Sequence, residues 1–175
     1  MKIGTKTLLV GYHQFLIHPL LVAAAWWKLY GFPWDPRLWV AFLIHDWGYV
    51  GKRNMDGVEG KQHPFWGAEV MHELFDSVVY EPGAWFPTAD AKWHNFTLYH
   101  SRTLANLYFA PLSKLGYADK LAFLYYPKWL LKILYALSGE GAEYLINNGI
   151  TDWDEWYKVA ADSNIKTLKG AHNDR

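Results

Sequence analysis

FLIHDWGYVGKRNMDGVEGKQHPFWGAE, residues 42–69, runs from an apolar segment into a His-Asp doublet, His45-Asp46, and then through a loop rich in glycine and charge to His63 beside Pro64. A His-Asp doublet buried at the end of an apolar helix is costly unless something satisfies it, and a divalent metal ion is the usual partner. The stretch therefore reads as half of a metal site, carried by the end of one helix and the start of the next. The remaining helices have to bring the other half.

Helical periodicity continues on both sides of this stretch. Asp35-Pro36 is a good N-cap and N1 pair for the helix that runs through roughly Asp46. Upstream, a helix includes His18 to Tyr30 and stops at Gly31. Its start stays open between Tyr12 and His18, because Pro19 would kink a helix continuous across it. Residues 47–62 read as loop, punctuated by four glycines. Pro64 opens a third helix to about Val78, with Trp66, Val70, Met71 and Leu74 as its apolar stripe. A turn-rich connection over Glu81 to Phe86 leads to a fourth helix, Thr88 to Leu104, and then a fifth, Ser113 to Tyr126. Pro127 starts a sixth segment, Lys128 to Leu137. A short helix over Glu143 to Asn147 follows, and a Thr151/Asp154 capping box begins a last amphipathic helix that fades near Lys169. No stretch alternates with period two, no repeat is visible, and no linker divides the chain. The expected fold is all-α, one helical-bundle domain over residues 1–175, with its motifs in 13–126 and a helical extension over 127–175.

Hydrophobic residues make up 51% of the chain and aromatics 18%, enough for a real core and against disorder. Lys+Arg and Asp+Glu each number 17, a balance that disfavours a broad nucleic-acid footprint and favours small-molecule chemistry. With no cysteine, disulfides and thiolate metal sites are excluded. A metal must be held by imidazole and carboxylate, ligands that suit Mn, Fe, Co, Ni or Zn without choosing between them, with Mg also admissible. MKIGTKTLLVGYHQ at the N-terminus lacks a signal peptide's apolar core and cleavage site. The most apolar run, Leu20 to Trp27, is too short to span a bilayer. A cytosolic location without a membrane partner is expected.

His18 opens the first helix, His45-Asp46 closes the second, and Asp119 sits among apolar neighbours in GYADKLAF. Together these four offer two imidazoles and two carboxylates to one ion. Adjacent helical residues point about 100° apart, so His45 and Asp46 can share an ion only where helix ends converge. HPLLVAAA (18–25), AFLIHDWGY (41–49), HPFWGAEVM (63–71) and YADKLAF (117–123), in this order, resemble the HD-domain superfamily of metal-dependent phosphohydrolases. The resemblance covers roughly residues 13–126. It implies an all-helical bundle in which His18, His45, Asp46 and Asp119 hold a first divalent ion.

Binuclear members of that superfamily add histidines between the doublet and the last Asp. His63 matches the first of these, with a helix-start cap as its alternative role. The next is often a His-His pair, where this chain has Tyr99-His100. His94 and His100 lie about 120° apart around a helix, so one ion does not take both, and His100 is preferred. The count is one ion or two. Phosphoryl transfer relies on positioning and charge stabilisation, which makes nearby cations important. Lys52 and Arg53 are the natural phosphate contacts, with Lys61 and Arg102 behind them. Some nucleotide-cleaving relatives carry a Glu three residues after the HD Asp, where this chain has Tyr49. The acid/base role then falls to Asp56, Glu59 or Asp46 itself. Trp47 or Tyr49 is placed to stack on a nucleobase. His13 reads as structural, His72 as peripheral, and Trp26, Trp27, Trp39 and Trp66 as core; surplus aromatics also suit a homo-oligomer contact.

The expected function is therefore hydrolysis of a small phosphate ester, a nucleotide first, by metal-activated water. A di-iron oxygenase and a non-catalytic binding module on the same scaffold are the rivals.

Overall fold

The computed structural model of the chain describes residues 1–76 and 91–173. Among the described residues every regular element is helical. In chain order they are α1 (Ile3–Val10), α2 (Ile17–Tyr30), α3 (Pro36–Ile44), a 3₁₀ turn (Trp47–Tyr49), α4 (Val58–Lys61) and α5 (Pro64–Phe75). There follow α6 (Lys92–Leu98), α7 (Arg102–Leu107), α8 (Lys114–Tyr125), α9 (Lys128–Ser138), α10 (Glu140–Asn147) and α11 (Trp153–Asn173). They form one all-α domain. None of the described helices is long and apolar enough to cross a membrane.

Local chemistry accounts for several boundaries. The Asp35 carboxylate accepts from Arg37 N at 3.0 Å, and Pro36 fills N1, so α3 starts where the sequence places it. Ser113 caps α8 by accepting from Gly116 N. α2 begins at Ile17, which leaves Pro19 in the first turn, where a missing N–H does no harm. The main core lies where α2, α3, α5 and α8 meet, around Val22, Phe42, Met71 and Leu115. A second, aromatic cluster joins Tyr12 and Phe123 to Tyr135 and Trp156 in the C-terminal helices.

Other expectations need correcting. α1 is an element the sequence reading lacks; long-range bonds hold it, Gly4 N to Lys52 O and Thr7 Oγ1 to Glu140. On α5, Trp66 and Leu74 are exposed, and the buried face is Gly67, Ala68, Met71 and His72. Small residues let α5 press on the end of α3: a Cβ at Gly67 would lie 3.0 Å from Ile44 O. The fourth helix is two helices, because the backbone turns at Tyr99–Ser101, where Tyr99 O accepts from Ser113 N instead of from its own helix. The predicted start at Thr88, the end at Val78 and the Glu81–Phe86 turn lie outside the described residues. α10 begins at Glu140, three residues early, and Asp152 rather than Thr151 caps α11 by accepting from Glu155 N at 2.9 Å.

Candidate metal centre

Six polar side chains from separate elements converge in the interior. His18 comes from the first turn of α2, His45 from the C-cap of α3, and Asp46 from the residue after it. His63 is the N-cap of α5, His100 sits in the turn between α6 and α7, and Asp119 lies in the middle of α8. All six are buried, His18 completely. The segments are held tightly: a Cβ at Gly48 would stand 1.9 Å from His63 O, so only glycine lets the turn after the doublet lie against the start of α5.

Asp46 stands at the centre. Its Oδ2 lies 3.1 Å from His45 Nε2 and 3.3 Å from His18 Nε2. Its Oδ1 lies 3.3 Å from His63 Nε2 and 3.6 Å from His100 Nε2. Each oxygen thus faces its own pair of imidazoles. Asp119 Oδ1 joins the first group at 3.2 Å from His18 Nε2. Among the described residues two sets satisfy the spacing for an ion, His18/His45/Asp46 and Asp46/His63/His100, with the carboxylate common to both.

Tautomers follow from the backbone. Nδ1 of His45, His63 and His100 lies 2.9, 2.8 and 2.6 Å from the carbonyl oxygens of Phe42, Gly60 and Thr97, each three residues earlier. A carbonyl accepts only, so each Nδ1 is the donor, and in the neutral imidazole Nε2 turns a lone pair inward. His63 Nε2 and His100 Nε2 are 3.1 Å apart. Two lone pairs facing each other beside a carboxylate call for a cation. In addition, both His18 ring nitrogens, His45 Nε2 and Asp46 Oδ2 are buried without a hydrogen-bond partner among the described residues. Such orphaned donors and acceptors are costly unless an ion completes them. The nitrogen and oxygen donor set fits a borderline divalent metal.

Electrostatics split the site. At His18 burial lowers the imidazole pKa, but Asp119 and Asp46 outweigh it and lift the group to about 9. At His63 burial prevails over Asp46 and takes it down to about 4, and burial likewise lowers His100. For Asp119, burial alone would raise the carboxyl; Lys120 and His18 overcome it and hold the group well below its usual range.

A cleft of about 170 Å³ opens onto Asp46, His63, His100 and Asp119. Of the candidate substrate and acid/base residues, Tyr49, Asp56, Lys61 and Arg102 line it. Lys52, Arg53 and Trp47 do not. Arg53 is exposed and tied to Glu59, with its NH2 2.8 Å from Oε1 and its backbone N 3.1 Å from Oε2, which occupies both residues at the surface. Lys52 and Trp47 line a separate surface groove with Trp66, on which Trp47 stacks at 5.8 Å. Tyr49 stacks instead on His63, centroids 3.9 Å apart, so its ring steadies an imidazole. His94 belongs elsewhere: its backbone N and that of Trp93 donate to Asp76, and its Nε2 lies 3.8 Å from Glu69 Oε1.

Sequence reasoning gave His13 a structural role and passed over Lys120, Glu140 and Tyr144. Lys120 was visible as the cation next to Asp119, and its Nζ pairs with that carboxylate in the cleft wall. The others had no local signal. Glu140 is fully buried in α10, where its Oε1 accepts from Thr7 Oγ1, Tyr12 N and Ser138 Oγ. Its Oε2 lies 3.4 Å from Nδ1 of His13, which also lines the cleft. Glu143 accepts from Met55 N and Asp56 N, so α10 fixes the loop that carries Asp56. Comparison of the chain with protein-family models, with curated proteins and with solved structures gave no match.

Proposed function

We propose that this protein is a metal-dependent phosphohydrolase of the HD-domain type, acting on a small phosphate ester, a nucleotide first. The observation that carries the reading is Asp46, with one oxygen toward His18 and His45 and the other toward His63 and His100. A carboxylate so placed suits two divalent ions side by side, the first completed by Asp119.

Divalent ions held there supply a water of lowered pKa and neutralise charge on phosphoryl oxygens. The chain supplies the rest. Lys61, Arg102 and Lys120 surround the cleft and suit the non-bridging oxygens of a phosphate, Arg102 as a planar fork and the lysines as point charges. These take the role assigned from sequence to Lys52 and Arg53. Thr7 gives its hydroxyl proton to Glu140, so its oxygen is free to accept from His13 Nδ1 at 3.2 Å. With Glu140 Oε2 also near Nδ1, the proton is held on that nitrogen and the lone pair of His13 Nε2 is left to take a proton from water. A general base oriented in this way by a buried carboxylate follows the logic of other imidazole–carboxylate pairs. Burial and the aromatic walls limit bulk water and strengthen each charge interaction.

The test is phosphate release from a panel of mono-, di- and triphosphates and cyclic dinucleotides, with Mn, Co, Ni, Zn or Mg added. Turnover that requires metal and disappears in Asp46→Asn is expected. Silence across the panel with metal bound overturns nucleotide hydrolysis, and iron-dependent oxygen uptake in its place would favour the di-iron oxygenase. Failure to bind any metal leaves the binding module.

A further inference from the structure

A second compartment, about 160 Å³, adjoins the cleft and shares His13, Arg102, Asp119, Lys120 and Tyr144 with it. Each space is well below the roughly 300–1,000 Å³ of ordinary ligand pockets, so the pair suits the two ends of one small molecule. Their walls differ in kind. The cleft is lined by histidines, carboxylates and cations, whereas the second compartment adds the rings of Tyr12, Phe123, Tyr135 and Trp156. These rings are 4–6% exposed and pack on one another, Tyr12 stacked on Tyr135, so they close the compartment with an apolar wall against which a flat ring can lie.

One stripe of α11, Trp156, Ala160, Ser163, Asn164 and Thr167, faces this region. Asn164 is 6% exposed, and its amide makes no hydrogen bond among the described residues. The amide atoms keep contact with solvent in the compartment, so donor and acceptor are both open to a ligand that enters it. Arg102 stands where the two compartments join, its NH1 2.7 Å from Ser163 Oγ and 3.3 Å from Thr167 Oγ1. Both partners are neutral, and no carboxylate pairs with the guanidinium among the described residues. α11 therefore fixes a cation at the join without cancelling its charge.

We infer that the second compartment binds the nucleobase of a nucleoside monophosphate, stacked on the aromatic wall, with Asn164 reading its edge and Arg102 holding the phosphate end. An amide offers a donor beside an acceptor, the pattern that matches the N6/N7 edge of adenine. The phosphate end rests on the phosphohydrolase reading; the base end rests on the compartment alone.

The experiment is calorimetric titration of the full-length, metal-free protein with adenosine, adenosine 5′-monophosphate and ribose 5-phosphate. Adenosine should bind, and the monophosphate should bind more than about tenfold tighter than ribose 5-phosphate, as base stacking requires. Asn164→Leu should reduce that preference while leaving ribose 5-phosphate binding unchanged, and thermal melting checks that the variant folds. Equal binding of the two phosphates by the wild-type protein overturns the inference without need of any variant. Metal-dependent hydrolysis of p-nitrophenyl phosphate in a protein that ignores nucleosides would also overturn it, while leaving the hydrolase reading intact. Nucleoside binding in a protein that hydrolyses no phosphate ester would uphold the compartment and remove the hydrolase.

Discussion

The two sides of Asp46 are built from the same groups and are electrically different. Toward His18 a second carboxylate, Asp119, stands close, and the imidazole is lifted to about 9. Toward His63 and His100 there is no second acid among the described residues within the same spacing, and burial holds both imidazoles neutral. The first side already contains a cation at neutral pH, the His18 proton, which a metal ion would replace. The second side has only lone pairs. One carboxylate can thus serve two ions that differ in affinity and in proton release.

The largest effect expected is from Asp46→Asn, because it removes the group common to both sides. Even outer partners of metal ligands cost roughly 10–100-fold in affinity, so loss of this carboxylate should cost more than about 100-fold on both sides. Metal content after dialysis, by mass spectrometry, is the check; retention of one tightly held ion would break the comparison. Next come variants confined to one side. His100→Ala should leave one ion per chain and abolish the second, whereas Asp119→Asn should weaken the ion at His18 first. If either variant empties both sides equally, the two are not separable.

The pH dependence sharpens the contrast. Below about pH 9 an ion must displace the His18 proton, so affinity on that side should rise by about tenfold per pH unit up to that point. His63, already deprotonated above about pH 4, gives no such slope between pH 6 and 9. The ion-free fold should show the reverse trend. A folded pKa raised from 6.5 to about 9 contributes stability that is complete below pH 6.5 and is lost as pH rises through about 9. The lowered His63 contributes stability present above pH 6.5 and lost as pH falls toward about 4. Chemical denaturation across pH, with and without chelator, measures both. The smallest effect is expected at the surface: Arg53→Ala breaks an exposed, solvent-screened pair with Glu59 and should leave turnover unchanged. Arg102→Ala should reduce it instead, and steady-state kinetics of the two variants decide which cation serves phosphate.

Local signals were enough for the helices that carry His45 and Asp119. Asp35-Pro36 and Ser113 act through neighbours two and three residues away, so the sequence shows them directly. α1 and the break at Tyr99–Ser101 could not be read in this way, because their bonds reach Glu140 and Ser113 from distant parts of the chain. The same divide runs through the site. Among the ligand candidates, the doublet and Asp119 stood out as costly polar groups in apolar surroundings, whereas His18, His63 and His100 were singled out by the order of the motifs. The cations were harder, since proximity in sequence to the doublet says nothing of direction: Arg53 turns outward to Glu59, while Lys120 faces the cleft. The extension beyond Pro127 looked chemically silent, yet it contributes Tyr144 and Asn164 to the two compartments and sets Glu140 behind His13.

The shared role of Asp46 is tested most directly by anomalous diffraction from crystals of the protein grown with manganese or zinc. Two peaks are expected, one beside each Asp46 oxygen, the first also coordinated by His18 and His45 and the second by His63 and His100. A single peak that leaves either oxygen of Asp46 without an ion, or none at all at saturating metal, would contradict it.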